Sequence, residues 1–91
     1  MSIATAISMK LGCDRSNNLL EIDQIQLTGE YSGWYYKETL HNYLNLHPYT
    51  IRVKDSNGPF VIPATSINGE KYVKSTPNNT TVDNLLSLPR R

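Results

Sequence analysis

Residues 69–89 read GEKYVKSTPNNTTVDNLLSLP, and the fold turns on how this stretch divides. Gly69 to Ser75 carries the alternating character of a strand. Pro77-Asn78-Asn79 breaks it with turn residues, and Leu85, Leu86 and Leu88 then form a short apolar cluster stopped by Pro89. Such a cluster beside a basic terminus is either a surface that grips a partner or a clasp that closes the chain's own core. The clasp is expected here. Asp83 has the side-chain oxygen to cap a helical turn, the leucines crowd around that turn, and Pro89 cannot continue it.

Backward from Gly69, the pair Asn68-Gly69 is a strong two-residue turn signal because both residues tolerate positive φ. It predicts a hairpin from Phe60 to Ser75, with Ile67 opposite Glu70, Thr65 opposite Tyr72 and Ala64 opposite Val73. That register puts Ile62, Ala64 and Val73 on one face and Ile67, Tyr72 and Lys74 on the other. Pro63 has no amide proton to donate, so its strand is expected at an edge or a bulge. Tyr49, Ile51 and Val53 alternate with Thr50, Arg52 and Lys54, predicting a strand with a basic outward side that closes at Asp55-Ser56-Asn57-Gly58.

Nearer the N-terminus, Ile3, Thr5, Ile7 and Met9 alternate with Ala4, Ala6 and Ser8, which predicts a strand over residues 2–10. The polar run from Cys13 to Asn18 reverses the chain, and a second strand follows over residues 20–28. Its apolar phase slips, with Leu20 and Ile22 on one parity and Ile25 and Leu27 on the other, so a bulge is expected near Asp23-Gln24. The two strands make an antiparallel hairpin. Tyr36, Leu40, Tyr43 and Leu44 recur at helical spacing, predicting a helix over residues 35–46. It must stop before Pro48, which disfavours helical geometry at His47. The fold class is therefore α+β: a small antiparallel sheet of about five strands in the order β-β-α-β-β-β, one helix packed on one face, and a C-terminal helical turn. A single domain is expected over residues 1–91.

A chain of this length buries about 60–65% of the surface its unfolded form exposes, which argues against a large enclosed active site. Apolar residues make up only 38%, and six Tyr, one Trp and one Phe supply much of the bulk. The net charge of +1 argues against a nucleic-acid backbone or an anionic membrane as partner. Residues 1–46 hold three basic and five acidic groups, residues 47–91 six and three, a mild polarity. No apolar run approaches the roughly 20 residues of a membrane span, and "MSIATAISMKLG" does not read as a secretory leader. A cytoplasmic location is expected, where the sequons at Asn78 and Asn79 have no use. Cys13 stands alone, so neither an internal disulfide nor a zinc spacing is available, and no metal or cofactor is expected.

Together, "WYYKETLHNYL", the strand pair before the stretch above, and the stretch itself resemble the small bacterial proteins grouped as domain-of-unknown-function family three-eight-nine-two. Their pattern of a Gly, an aromatic-led strand, a Ser or Thr before a polar turn, and an Asp-Asn-Leu-x-x-Leu-Pro closure is met by Gly69, Tyr72, Ser75, Asp83, Asn84, Leu85, Leu88 and Pro89. A polar cap usual at the start of the helix is replaced here by Tyr35-Tyr36. The resemblance implies the fold and brings no activity, substrate or catalytic residue.

Candidate sites are few. Cys13 would need a neighbouring base or cation to become a nucleophile, and His41 and His47 belong to another element; a plain loop cysteine is expected. Glu38 precedes His41 by three residues and could share its helical face, yet a metal or general-base role needs a third convergent group. Trp34-Tyr35-Tyr36 stands out, because successive helical side chains diverge by about 100° and at least one ring must stay exposed. Surface Trp and Tyr are enriched in binding hot spots. Arg52, Lys54 and Lys74, with Tyr49 and Tyr72, could form a basic face with stacking rings, diluted by Asp55, Glu70 and Asp83.

These features point to a non-catalytic accessory domain, bacterial or phage-borne, that acts through contact with a protein partner or with itself at Trp34, Tyr35 and Tyr36. The alternative is a weak nucleic-acid-binding module using Arg52, Lys54 and Lys74. An enzyme built on Cys13 and His41 ranks third, because no pKa tuning can be argued for either group.

Overall fold

Among the described residues the strands and the α-helix follow in the order β1 (Ser2–Met9), β2 (Ile22–Gly29), β3 (Gly33–Tyr36), α1 (Lys37–Leu46), β4 (Ile51–Val53), β5 (Val61–Thr65) and β6 (Lys71–Ser75), with short 3-10 turns at Leu19–Glu21 and Asn84–Ser87. They are those of a computed structural model that describes residues 2–76 and 83–91. The turn expected at Pro77-Asn78-Asn79 lies outside the described residues. One sheet has four strands in the order β3-β2-β1-β4, and β5 and β6 form a second. The class is α+β, as expected, with one α-helix and small sheets among the described residues, but the strand count and pairing differ. Residues Gly33 to Tyr36 form an additional strand, and β4 lies parallel to β1, with Ser2 opposite Ile51 and Ala4 opposite Val53. The parallel pairing follows from α1, which carries the chain back across the sheet between β3 and β4, as a crossover must.

The bulge read from the phase slip is present. Ser8 pairs with Gln24 and Met9 with Ile22, leaving Asp23 as the extra residue. A second irregularity, at Thr5 between Ala4 and Ala6, is compensating and was not expected. It reverses the parity of β1, so Ala4, Ala6, Ile7 and Met9 are buried while Ile3 is only half-buried.

The β5–β6 register is one residue away from the expected one, with Thr65 opposite Lys71, Ala64 opposite Tyr72 and Pro63 opposite Val73. The cause is the turn. Gly69 N–H donates to Ser66 O at 2.9 Å and Gly69 alone takes positive φ, +84°, so the loop is a three-residue turn closed by a glycine bulge. Val61, Val73 and Ser75 consequently face inward, while Ile62 and Ala64 share the outer side with Tyr72 and Lys74.

Helix α1 starts at Lys37, two residues later than expected, because Tyr36 pairs with Gln24 on β2 and caps the helix in extended geometry, φ −64° and ψ 147°. It ends at Leu46, with His47 at φ −132°, as Pro48 requires. Its buried face is Lys37, Leu40, His41 and Leu44, whereas Tyr36 is exposed and Tyr43 half-buried. Burial of Lys37 is made tolerable by its ammonium group, 2.8 Å from Glu38 and 3.4 Å from Glu70.

The C-terminal leucines are a clasp. Asp83 Oδ1 accepts from Leu85 N–H at 2.9 Å, and the Asp83 carboxylate also accepts from Ser75 N–H, tying the turn at residues 84–87 to β6. Leu85, Leu86 and Leu88 are all buried in the core. Beyond them the chain lies along β1: Ile7 N–H donates to Pro89 O and Arg91 N–H to Ile7 O, both at 2.9 Å. Among the described residues no helix is long and apolar enough to cross a membrane.

Candidate functional site

β3 is an edge strand. It pairs with β2 through Gln24–Tyr36, Ile25–Tyr35 and Gln26–Trp34, and no strand lies on its other side among the described residues. The pleat sends successive side chains to opposite faces, so the three rings divide in a way that helical spacing did not anticipate. Trp34 and Tyr36 stand on the outer face, 39% and 54% exposed. Trp34 borders a shallow depression with Ser8, Gln24 and Arg91.

Tyr35 turns to the helix side, where with Tyr31, Tyr43, Leu27, Leu40, Thr39 and Ile51 it lines a groove of about 350 Å³. The groove is apolar because its floor is core, Leu27, Leu40 and Ile51. Its rim is aromatic: the Tyr31 and Tyr43 rings meet edge to face at 5.7 Å, and Tyr43 leans on His47 at 4.8 Å. Tyr43 and Glu30 beside it raise the pKa of the Tyr31 hydroxyl, which therefore stays protonated and able to donate. Tyr31 is fixed from the backbone side, its N–H donating to Ser2 Oγ at 3.0 Å. Sequence reasoning missed Tyr31 and used Tyr43 only as part of a core stripe; Tyr31 lies inside the Gly29–Gly33 break, where no periodicity marks it, and only the fold brings it to Tyr43.

The other candidate residues sit apart. Cys13 Sγ donates to Glu21 Oε2 at 2.9 Å, and Ser16 Oγ donates to Glu21 Oε1. That bond to the carboxylate raises the thiol pKa, with desolvation adding to it, which is the opposite of nucleophile activation. His41 is buried, with Nδ1 3.0 Å from Tyr72 O; a carbonyl only accepts, so Nδ1 carries the proton. Glu38 pairs with Lys37 rather than His41, and among the described residues no three His, Cys, Asp or Glu side chains gather as metal ligands would.

Of the basic residues, Arg52 is on β4, Lys54 in the turn that follows and Lys74 on β6. Arg52 bridges to Phe60 and its guanidinium lies 4.0 Å over that ring, while Nη1 donates to Gly58 O at 2.7 Å. Tyr49 meets Phe60 edge to face at 5.4 Å. Pairing of Arg52 with Phe60 and of Ile62 with Lys74 brings Arg52 and Lys74 to one outward side, flanking Phe60 and Ile62.

Residues 5–89 match the family described as a protein of unknown function, DUF3892, and the chain belongs to that family. No curated protein and no solved structure matches it.

Proposed function

We propose that this DUF3892 protein is a non-catalytic module that binds a protein partner by taking an extended segment onto the free edge of β3. The observation that carries the reading is the combination found there: an edge strand bearing exposed Trp34 and Tyr36 on one face, with the Tyr35-lined apolar groove on the other. An exposed edge offers backbone donors and acceptors in register, and strand addition uses such an edge for affinity and flanking pockets for specificity. Trp and Tyr bring large contact area with few rotatable bonds. A bacterial, cytoplasmic setting belongs to the same proposal, and the lone Cys13 thiol is compatible with a reducing compartment.

A photo-crosslinking residue placed at position 34 or 36 in native-host cells tests it. A discrete adduct from both positions, absent from the exposed helix position Asn45, is the expected result. Adducts equally strong from position 45, or none from 34 and 36, would overturn the proposal.

A second reading, weak binding of single-stranded nucleic acid, is favoured by one observation, the Tyr49–Phe60–Arg52 cluster with Lys74 on the same side. It ranks second because Arg52 is already engaged within the protein and a net charge of +1 releases few counterions. Fluorescence anisotropy separates the two: sub-micromolar affinity for single-stranded DNA or RNA at about 150 mM salt, where backbone contacts are screened, would reverse the ranking.

A further inference from the structure

A separate cleft, of about 580 Å³, opens on the opposite edge of the four-stranded sheet. The edge of β1 is covered twice, once where Lys54 N–H donates to Ala4 O and again where Ile7 N–H donates to Pro89 O. Thr5, the bulged residue, lies between, and the cleft is the gap left there. One wall is the turn after β4. It contains Lys54 at φ +75°, a conformation that L-residues with long side chains rarely adopt, and Asp55 N–H bonds back to Val53 O at 2.9 Å across it.

Gly58 closes that turn with no room for a side chain, since a Cβ would meet Val53 O at 1.8 Å. Arg52 to Gly58 O, Gly58 N–H to Asp55 O and Val53 N–H to Pro59 O brace it further. A turn held this firmly in a disfavoured conformation is the kind of strain that accompanies binding sites. Its effect is to set Lys54 and Asp55, adjacent and oppositely charged, both on the cleft wall with Asn57. Lys54 has no ion-pair partner among the described residues, and Asp55 spends one oxygen on Asn57 N–H. Across the gap stand Ser87 and Leu88, and Pro59 and Pro89 add the accessible apolar surface.

We propose that this cleft is a binding site for a small zwitterion of amino-acid to dipeptide size, its anionic group on Lys54, its cationic group on Asp55 and its apolar part against Pro59 and Pro89. The volume is in the range of small-molecule sites, about 300–1,000 Å³. Neighbouring charges of both signs favour a ligand that carries both over one that carries a single charge, since each exposed side chain then finds its complement. The site is independent of the β3 edge and stands or falls apart from it.

The test is NMR titration of the ¹⁵N-labelled protein with each of the common L-amino acids and a set of dipeptides, with propionate and propylammonium as single-charge probes. At least one zwitterion is expected to give saturable shifts of the Thr5, Lys54, Asp55 and Ser87 amides. Lys54→Met and Asp55→Asn, which keep the backbone and remove one charge each, should each weaken that binding about tenfold or more, the scale of a charge-assisted hydrogen bond. Ser87→Phe, which fills the cleft from the exposed side, should abolish it. The proposal is overturned if no zwitterion shifts these amides at millimolar concentration, if a single-charge probe binds as tightly, or if the charge variants bind unchanged.

Discussion

Leu85, Leu86 and Leu88 at one end of the molecule and Trp34, Tyr35 and Tyr36 at another are equally dense runs of large side chains, and the fold treats them oppositely. The leucines are 0%, 6% and 7% exposed, against 39% for Trp34 and 54% for Tyr36. What separates them is the backbone. Around the leucines, Leu85 N–H bonds to the Asp83 side chain, Leu86 N–H to Asp83 O and Leu88 N–H to Leu85 O, and the chain beyond pairs with Ile7. Because the turn's own amides are satisfied locally, its side chains can be pressed into the core without stranding a donor. Among the described residues β3 is paired along one side only, and it is not enclosed in the same way. Its residues are also suited to the boundary, since Trp and Tyr keep a polar tip for water where Leu has none.

The most direct way to break this comparison is to remove a leucine. Leu85→Ala is expected to cost about 2–5 kcal/mol, the range for deleting a fully buried Leu, from a total of about 5–10 kcal/mol for a domain of this size. At about 4–8 °C per kcal/mol, the melting midpoint should fall by about 8 °C or more, and deletion of residues 83–91 should abolish cooperative unfolding. Melting within a degree or two of the full chain would make the leucines a docking surface after all.

Asp83→Ala sharpens the argument by leaving the leucines in place and removing the group that satisfies the turn. It deletes the acceptor for both Leu85 N–H and Ser75 N–H, and the loss should be about 1–2 kcal/mol by the measure of helix caps. Thermal melts that show no loss would mean that leucine burial alone holds the clasp.

A third test concerns the junction where β3 passes into α1, the ion pair of Lys37 with Glu38. Burial works against the Lys37 charge, yet Glu38 and Glu70 outweigh it and raise the Lys37 pKa. Desolvation likewise opposes the Glu38 charge, but the bond to Lys37 prevails and its pKa is lowered. A lowered carboxylate pKa gives stability that is complete above the unfolded-state value and is lost as pH falls through the folded one. A raised lysine pKa gives stability that is complete below the unfolded-state value and is lost as pH rises through the folded one. Stability from this pair should thus be flat near neutrality and decline at both extremes, and Lys37→Met should flatten both limbs in chemical denaturation followed across pH. An unchanged profile would show that the pair is not coupled to folding.

The clasp was legible because its signals are local: a capping Asp, a leucine cluster and a terminating proline within seven residues, Asp83 to Pro89. The bulge at Asp23 was legible because it leaves a break in alternation. Its counterpart at Thr5 was not, since Ala4 and Ala6 are small enough to read as either face. The edge strand was missed because Tyr36 fits the helical stripe through Leu40 and Leu44, and only pairing with Gln24, Ile25 and Gln26, which is not local, draws Trp34 to Tyr36 into the sheet. The zwitterion cleft was invisible for a similar reason. It is formed by Thr5, Lys54 and Ser87, which only the fold brings together, and by a left-handed Lys54 that no propensity announces.

The smallest effect on stability should come from the residues with the largest proposed role. Trp34→Ala and Tyr36→Ala remove rings that are 39% and 54% exposed, so each should cost well short of a fully buried aromatic at about 3–5 kcal/mol, Tyr36 the less of the two. Backbone pairing of β3 with β2 survives both substitutions, because the ladder uses main-chain groups. In circular dichroism melts the double variant should therefore stay close to the parent while the Leu85→Ala protein does not. In the cross-linking assay the order should invert: removing the ring at 34 should suppress the adduct at 36, and Leu85→Ala, at a temperature where it remains folded, should leave it in place. Should the double variant unfold like the leucine variant, Trp34 and Tyr36 are core residues that happen to touch solvent. The contrast between clasp and edge would then be one of degree, and the partner would have to be sought elsewhere on the surface.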